Sequence, residues 1–493
     1  MYDYNKYRKY KTKYLRAKKK IMIGGKIDMR QSGDFYSFYN KGILVKGEAN
    51  KFTENQRNSI LYFVDNVLPY ILPKEGEDRC DEYIKNICDV NFIGIGGFGV
   101  TIACNDILVK IYKCTDAVCK LLEREINSLI PIMYHKNEDS KYTKLNVPES
   151  INKLYGFLTS NENLCKIYKG IIDNSNSSKV CYNQNELKIC SDIKIDDQKI
   201  DKQLFFAFMP KADDSLSNFS HTLSTYQNDM KLYYMYKFLK DMFYALKFLN
   251  EKPNNNDIIN KPNFQIVHND IRPDNIVFKL GKNNDVLFQL IDFDASSKLS
   301  LSRMKGTQKY FNLFIHCRYI TDYTFDWFCV VLTILECFKF IEIIEVDKQD
   351  ETNKKQQYNT IKINSSGVNL SVLHFDKNII KQMILSMNDN IDCIIVNNIT
   401  DLLTSACRMC IRVYIKCEKI ETEMKERNET INEGFRLDNI TKSNNEQLDA
   451  FYQKYEQIFK YGDVKTFTKE LNKQSAEAKK REDEVKMHEG VKM

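Results

Sequence analysis

A chain of 493 residues is long enough for about two or three domains around a large core. Its 73 basic and 66 acidic residues leave a formal charge of +7, too small an excess at this length to argue for nucleic acid, so no specific nucleic-acid partner is expected. Fifteen cysteines without regular spacing, with only one Cys-x-x-Cys pair (Cys407 and Cys410) and no second pair or nearby His to complete it, argue against a disulfide scaffold and a zinc module and fit a reducing compartment.

Residues 2–20 carry Tyr4, Tyr7, Tyr10 and Tyr14 at helical spacing among lysines and arginines. This is either a solvated basic helix or an electrostatic tether to acidic surfaces. The leader resembles N-terminal segments recurring in proteins of giant DNA viruses of amoebae, over about residues 1–26, which implies host cytoplasm (the viral factory) or the virion as the setting. It lacks the apolar run of a signal peptide, so no secretion signal is expected. The most apolar stretch, Phe325 to Val346, is interrupted by Asp326, Glu336, Lys339, Glu342 and Glu345, which predicts a buried helix and no membrane span. In the N-terminal extension, 27–84, the apolar spacing of Asn58 to Leu68 predicts a helix ended by Pro69.

Phe92 to Val100 is glycine-rich: Ile93, Gly94, Gly96, Gly97, Phe98, Gly99 and Val100 form a run whose bare backbone could lie close to phosphates. Two strands follow, Val100 to Cys104 and Ile107 to Tyr112, joined by the two-residue turn Asn105-Asp106 and carrying Lys110. A helix is expected over 116–130, with Glu125, or alternatively Glu123, on it. Ile151 to Phe157 and Leu204 to Pro210 read as strands, and the polar stretch 159–203 between them as an insertion. Lys231 to Asn250 has a strong apolar face (Leu232, Met235, Leu239, Met242, Phe243, Leu246, Leu249) and predicts a helix. A second insertion, 251–263, precedes Val267 to Asp294, where His268, Asp270 and Asn275 are followed by a hairpin turning at Gly281 to Asp285 and then by Asp292. Such a hairpin returns Asp292 to Asn275. Beyond Val346, a polar insertion (347–368), two or three helices (374–417) and a Lys/Glu-rich tail (418–493), as an exposed helix or partly disordered, are expected.

His-x-Asp-x-x-x-x-Asn followed by Asp-Phe-Asp, with the glycine run, Ile-Leu-Val-Lys, Arg-Glu-Ile-Asn-Ser-Leu, Gly306-Thr307-Gln308-Lys309-Tyr310 and Asp326-Trp327, resembles the protein kinase superfamily from about Asn91 to Phe338. The resemblance implies an α+β, two-lobed kinase-like fold over 85–417, with an N-lobe at about 85–210 and a C-lobe at about 211–417. It implies a Ser/Thr protein kinase that takes ATP with Mg²⁺, or alternatively Mn²⁺, and acts on protein substrates. Lys110, set by Glu125, would orient the phosphates under the glycine run, and backbone groups of Ala207 and Met209 would face the adenine. Asn275 and Asp292 would hold the metal, Asp270 would take the hydroxyl proton, and Arg272 would offset charge on the transferred group. Asp326 would hold the catalytic loop.

The chain departs from the pattern at Asn269 (usually Arg), Arg272 (usually Lys), Asp294 (usually Gly) and Leu108 (usually Ala), and it lacks Ala-Pro-Glu after Tyr310. Asn269 carries no charge to pair with an activation-loop phosphate, so activity independent of that phosphate is expected. The alternatives are a small-molecule kinase of the choline and aminoglycoside type, which often begins this loop His-Asn-Asp, and a catalytically weak pseudokinase acting as a binding scaffold.

Overall fold

The computed structural model describes residues 36–40, 43–47, 90–95, 99–104, 106–112, 134–136, 142–144, 147–152, 156–160, 204–223, 225–250, 266–293, 295–298, 308–313, 323–349, 355–371, 376–388, 391–426 and 437–490. They fall into two compact units, one drawn from Met1–Glu123, Lys136–Lys144 and Lys153–Lys211, the other from Arg124–His135, Leu145–Asn152 and Ala212–Met493. Helices and small antiparallel sheets make the protein an α+β mixture. No described helix is long and apolar enough to cross a membrane. The helices expected over 58–68 and 116–130, and the 251–263 insertion, lie outside the described residues.

In the first unit β1 (Tyr36–Asn40) and β2 (Ile43–Gly47) form an antiparallel ribbon. Then follow β3 (Val90–Ile95), β4 (Gly99–Cys104), β5 (Ile107–Tyr112), β6 (Tyr134–Lys136), β7 (Tyr142–Lys144), β8 (Gly156–Ser160) and β9 (Leu204–Pro210). Five of these make one antiparallel sheet in the order β3-β4-β5-β9-β8, and β6 pairs with β7. Cys104 faces Ile107 across the two-residue connection that Asn105-Asp106 predicted. Side chains alternate between faces along these strands: Ile102, Cys104, Ile107 and Val109 are buried on one, whereas on the other Thr101, Leu108 and Lys110 are only half-buried and Ala103 alone is buried. The strand expected at Ile151 begins instead at Gly156. Ile151 and Asn152 belong to the second unit, where Asn152 N–H donates to the Leu290 carbonyl (3.0 Å).

The second unit opens with β10 (Asp214–Ser215), α1 (Leu216–Leu223) and α2 (Asn228–Asn250). Next come β11 (Ile266–Val267), the hairpin of β12 (Ile276–Leu280) and β13 (Val286–Leu290), β14 (Ser297–Lys298), a short helical turn (Gln308–Phe311) and α3 (Tyr323–Cys337). The hairpin turns where expected, with Asn283 and Asn284 at φ 59° and 62°, a left-handed conformation that Asn tolerates better than most residues. α3 stops at Cys337, short of the buried helix expected to Val346. From Ile341 the chain is strand, so part of that apolar run and most of the expected polar insertion build a ribbon of β15 (Ile341–Gln349) and β16 (Lys355–Ile363), edged by β17 (Asn369–Leu370). α4 (Lys377–Leu385) and α5 (Ile394–Glu426) fulfil the expectation of helices over 374–417, and Asp376 caps α4 by accepting from Asn378 and Ile379 N–H.

The tail forms helices, exposed over 479–485 as expected, but much of it is packed. α5 runs on to Glu426, and α6 (Leu437–Glu456) and α7 (Val464–Gly490) pack against the core. Phe451 lies 4.9 Å and Tyr452 6.2 Å from the Trp327 ring, Phe459 4.9 Å from Phe243, and Phe467 4.9 Å from Tyr236. This cover explains the burial of Tyr233 and Tyr236, outside the predicted apolar face of α2, while Tyr234 is covered by Phe219 and Tyr226. Tyr452 hydroxyl accepts from Trp327 Nε1 (3.1 Å) and Asn250 Nδ2 (2.9 Å), which satisfies two buried donors at once. Phe451→Ala should therefore cost about 3 kcal/mol. Trp327 is the sole tryptophan, so its emission should shift to the red in that variant, and an unchanged spectrum and melting point would count against the packing.

Inside α2, Asp241 accepts from Lys237 Nζ (2.8 and 3.0 Å) and from Phe288 N–H (2.9 Å), which ties the helix to β13. Burial pushes its carboxyl up from 3.8 to about 6 against the opposing pull of Lys237. The folded protein then keeps a proton that the unfolded chain has lost. The Asp241 contribution is most favourable below about pH 4 and declines by roughly 3 kcal/mol as the pH rises past 6. Parent stability relative to Asp241→Asn, from denaturant curves between pH 4 and 7, should fall with pH. A difference that does not change with pH would contradict the shift.

Candidate active site

Strand pairing dictates where the expected residues of the first unit sit. A β-bulge lies between Phe92 and Gly94, so Ile93 is the extra residue, and it is 51% exposed. Gly94 pairs with Thr101, Val100 with Ile111, and Gly99 with Tyr112. Lys110 stands opposite Thr101 on one side and Ala207 on the other, and Leu108 stands opposite Met209. Directly opposed residues share a face, so Lys110, Leu108 and Met209 lie together on the sheet's less buried face, and Ala207 is the backbone partner of Lys110. Gly96, Gly97, Phe98 and Glu125, with its alternative Glu123, lie outside the described residues, as do Asp294, Gly306 and Thr307.

In the second unit the centre is the loop between β11 and β12. Asp326, in the first turn of α3 and with no exposed surface, accepts His268 N–H at 2.7 Å and Asn269 N–H at 2.9 Å, one on each carboxylate oxygen. Charge-assisted bonds to successive amides fix the loop backbone just before Asp270. Asn269 takes φ 67°, and its side-chain amide donates to Ala295 O (3.0 Å) and Val267 O (3.4 Å). The His268 ring is buried against Phe293 (4.7 Å between centroids). Its Nε2 donates to Ile291 O (3.0 Å) and its Nδ1 accepts Asp270 N–H (3.3 Å), bonds that assign one neutral tautomer. Burial holds the imidazole below its usual pKa despite the nearby Asp270 and Asp292 carboxylates.

Asn275 closes the loop on itself. Its Nδ2 donates to the Asp270 carbonyl (2.8 Å) and to Asp270 Oδ2 (2.7 Å), and its own carbonyl accepts Ile291 N–H (3.0 Å). That last bond ends the β12–β13 ladder one residue before Asp292, the return that the hairpin turn predicted. Asp292 has φ 64°, a second left-handed non-glycine residue at the same site. Arg272 Nε lies 3.6 Å from Asp270 Oδ2, within ion-pair range and beyond a hydrogen bond, and the guanidinium also reaches Asp274 (3.3 Å).

A carboxylate held by an amide, beside a cation and carried on a clamped backbone, can accept a proton from a hydroxyl. The oxygen donors that a metal could draw on here are the Asp292 carboxylate and the amide oxygen of Asn275, whose –NH₂ faces Asp270. Two hard oxygens fit Mg²⁺, which takes its remaining ligands from water and phosphate. Among the described residues no three His, Cys, Asp or Glu side chains gather where they could hold a metal ion.

No family model matches this chain, and no curated protein matches it.

Sequence reasoning missed a second row of residues. Thr333 on α3 donates to Ile271 O (3.5 Å) and meets the Tyr310 hydroxyl (3.3 Å). That hydroxyl donates to Glu336 Oε2 (2.8 Å), and Lys309 pairs with Glu336 as well. The available signal was Glu336 itself, a carboxylate in an apolar helix. Asp326→Asn would leave one amide facing an –NH₂, so we expect a loss of at least about 2 kcal/mol and faster amide exchange at His268 and Asn269. Stability within about 0.5 kcal/mol of the parent would show that the clamp is dispensable.

Proposed function

We propose that this chain is an ATP-dependent protein kinase on a two-lobed kinase-like fold, transferring the γ-phosphoryl group of Mg-ATP to Ser or Thr hydroxyls of protein substrates. The observation that carries the reading is the closed loop of the second unit. Asp326 grips the backbone before Asp270, Asn275 holds Asp270, and the hairpin brings Asp292 beside Asn275. The five-stranded antiparallel sheet supports it further, with Lys110 facing Ala207 at mid-strand.

A bound Mg²⁺, held by Asp292 and Asn275, would offset the charge of the phosphates. Asp270 orients the acceptor hydroxyl and takes its proton as oxygen attacks the γ-phosphorus and the bond to ADP breaks. Arg272, already within ion-pair range of Asp270, offers charge to the group in transit. Lys110 binds the phosphates of the nucleotide, and Ala207 and Met209 offer backbone groups to its base.

One feature favours the small-molecule alternative: the loop begins His268-Asn269-Asp270, and Asn269 is integral to it through its bonds to Ala295 and Val267. Acceptor choice therefore belongs in the test. Asp270→Asn and Lys110→Met should each lower phosphate transfer by about 10²-fold or more while melting within a few degrees of the parent. If Asp270→Asn transfers phosphate as fast as the parent, the catalytic role is wrong. ATP-dependent stabilisation of a parent that never turns over would favour a pseudokinase.

A further inference from the structure

The ribbon of β15 and β16 grips the segment that follows the catalytic loop. Asn359, 8% exposed and paired with Glu345 in the ribbon, donates its backbone N–H to Asn312 O (2.9 Å) and its side-chain Nδ2 to Lys309 O (2.7 Å). These carbonyls belong to and follow the helical turn Gln308–Phe311, which is too short to satisfy its own acceptors. Between them Tyr310 points into the core, bonded to Glu336. The turn is thus held from one side by α3 and from the other by the ribbon. Beside it lies a cavity of about 450 Å³, walled by Arg272 and Asp274 of the catalytic loop, Lys309 and Tyr310 of the turn, and Ile341 and Glu342 of the ribbon.

We propose that Asn359 is a positioning residue, through which the ribbon holds the 308–313 segment in its working place without a phosphate and keeps open the cavity where the acceptor protein docks. The docking half rests on the kinase reading; the holding half does not. Among the described residues the anchors are two neutral amides, a tyrosine hydroxyl and an internal ion pair: Asn269 fastens Ala295 at the start of the segment, Asn359 fastens Lys309 and Asn312 at its end, and Glu336 takes the Tyr310 hydroxyl and pairs with Lys309. Nothing in this set of anchors calls for a phosphate.

The test uses full-length protein made in bacteria and treated with phosphatase, with Asn359→Asp and the milder Asn359→Ala, both of which leave the backbone N–H in place. Amide exchange at residues 310–313 should quicken roughly five- to tenfold in both variants, the equivalent of one neutral hydrogen bond, with α3 unchanged. With dephosphorylated casein as acceptor, KM for casein should rise by a similar factor while KM for ATP stays the same. Unchanged exchange, or a segment that in the parent becomes protected only after preincubation with ATP, overturns the proposal. Quickened exchange with an unaltered casein KM overturns the docking half. A parent that phosphorylates nothing refutes the kinase reading instead, and the exchange rates still decide whether Asn359 holds the segment.

Discussion

The grip of one buried carboxylate on two successive backbone amides is the constraint on which the second unit depends. Asp326 has no exposed surface, and a buried charge without partners would cost several kcal/mol. Its two bonds to His268 and Asn269 offset that cost and oblige the loop to adopt one conformation, with Asn269 left-handed. Within the next six residues come Asp270, Arg272 near it, and Asn275 bonded back to Asp270. The loop is tied to α3, and α3 is buried along almost its whole length.

That burial has a source outside the region of kinase resemblance. Trp327, next to Asp326, donates its N–H to Tyr452 and stacks edgewise on Phe451, so α6 braces the helix that clamps the loop. Tyr236 strengthens the cover by accepting Tyr461 N–H at 2.9 Å, and Lys240 donates to Tyr461 O. The C-terminal helices are thus part of the unit's core.

Features of this chain that depend on neighbours in sequence were legible, and those that depend on distant partners were not. The hairpin turn at Gly281 to Asp285 and the apolar face of α2 are written locally, in turn chemistry and in period, and so were the positions of Asp270, Asn275 and Asp292. The cover over α2 was missed because average composition conceals a stripe: Leu448, Phe451, Tyr452 and Tyr455 recur at helical spacing within a Lys/Glu-rich segment. The ribbon was expected as the end of a buried helix followed by a polar insertion, although Ile341 and Ile343, and Ile361 and Ile363, alternate as strand residues should and are buried. Thr333, Glu336 and Asn359 could not be found by spacing, because each acts on a carbonyl or hydroxyl more than twenty residues away.

The most direct measurement of the central claim is phosphate transfer from labelled Mg-ATP by purified full-length protein, offered proteins, peptides, choline and aminoglycosides side by side. The account predicts magnesium-dependent label on Ser or Thr of protein acceptors and none on the small molecules. Label confined to choline or an aminoglycoside, or no transfer to any acceptor, would contradict it.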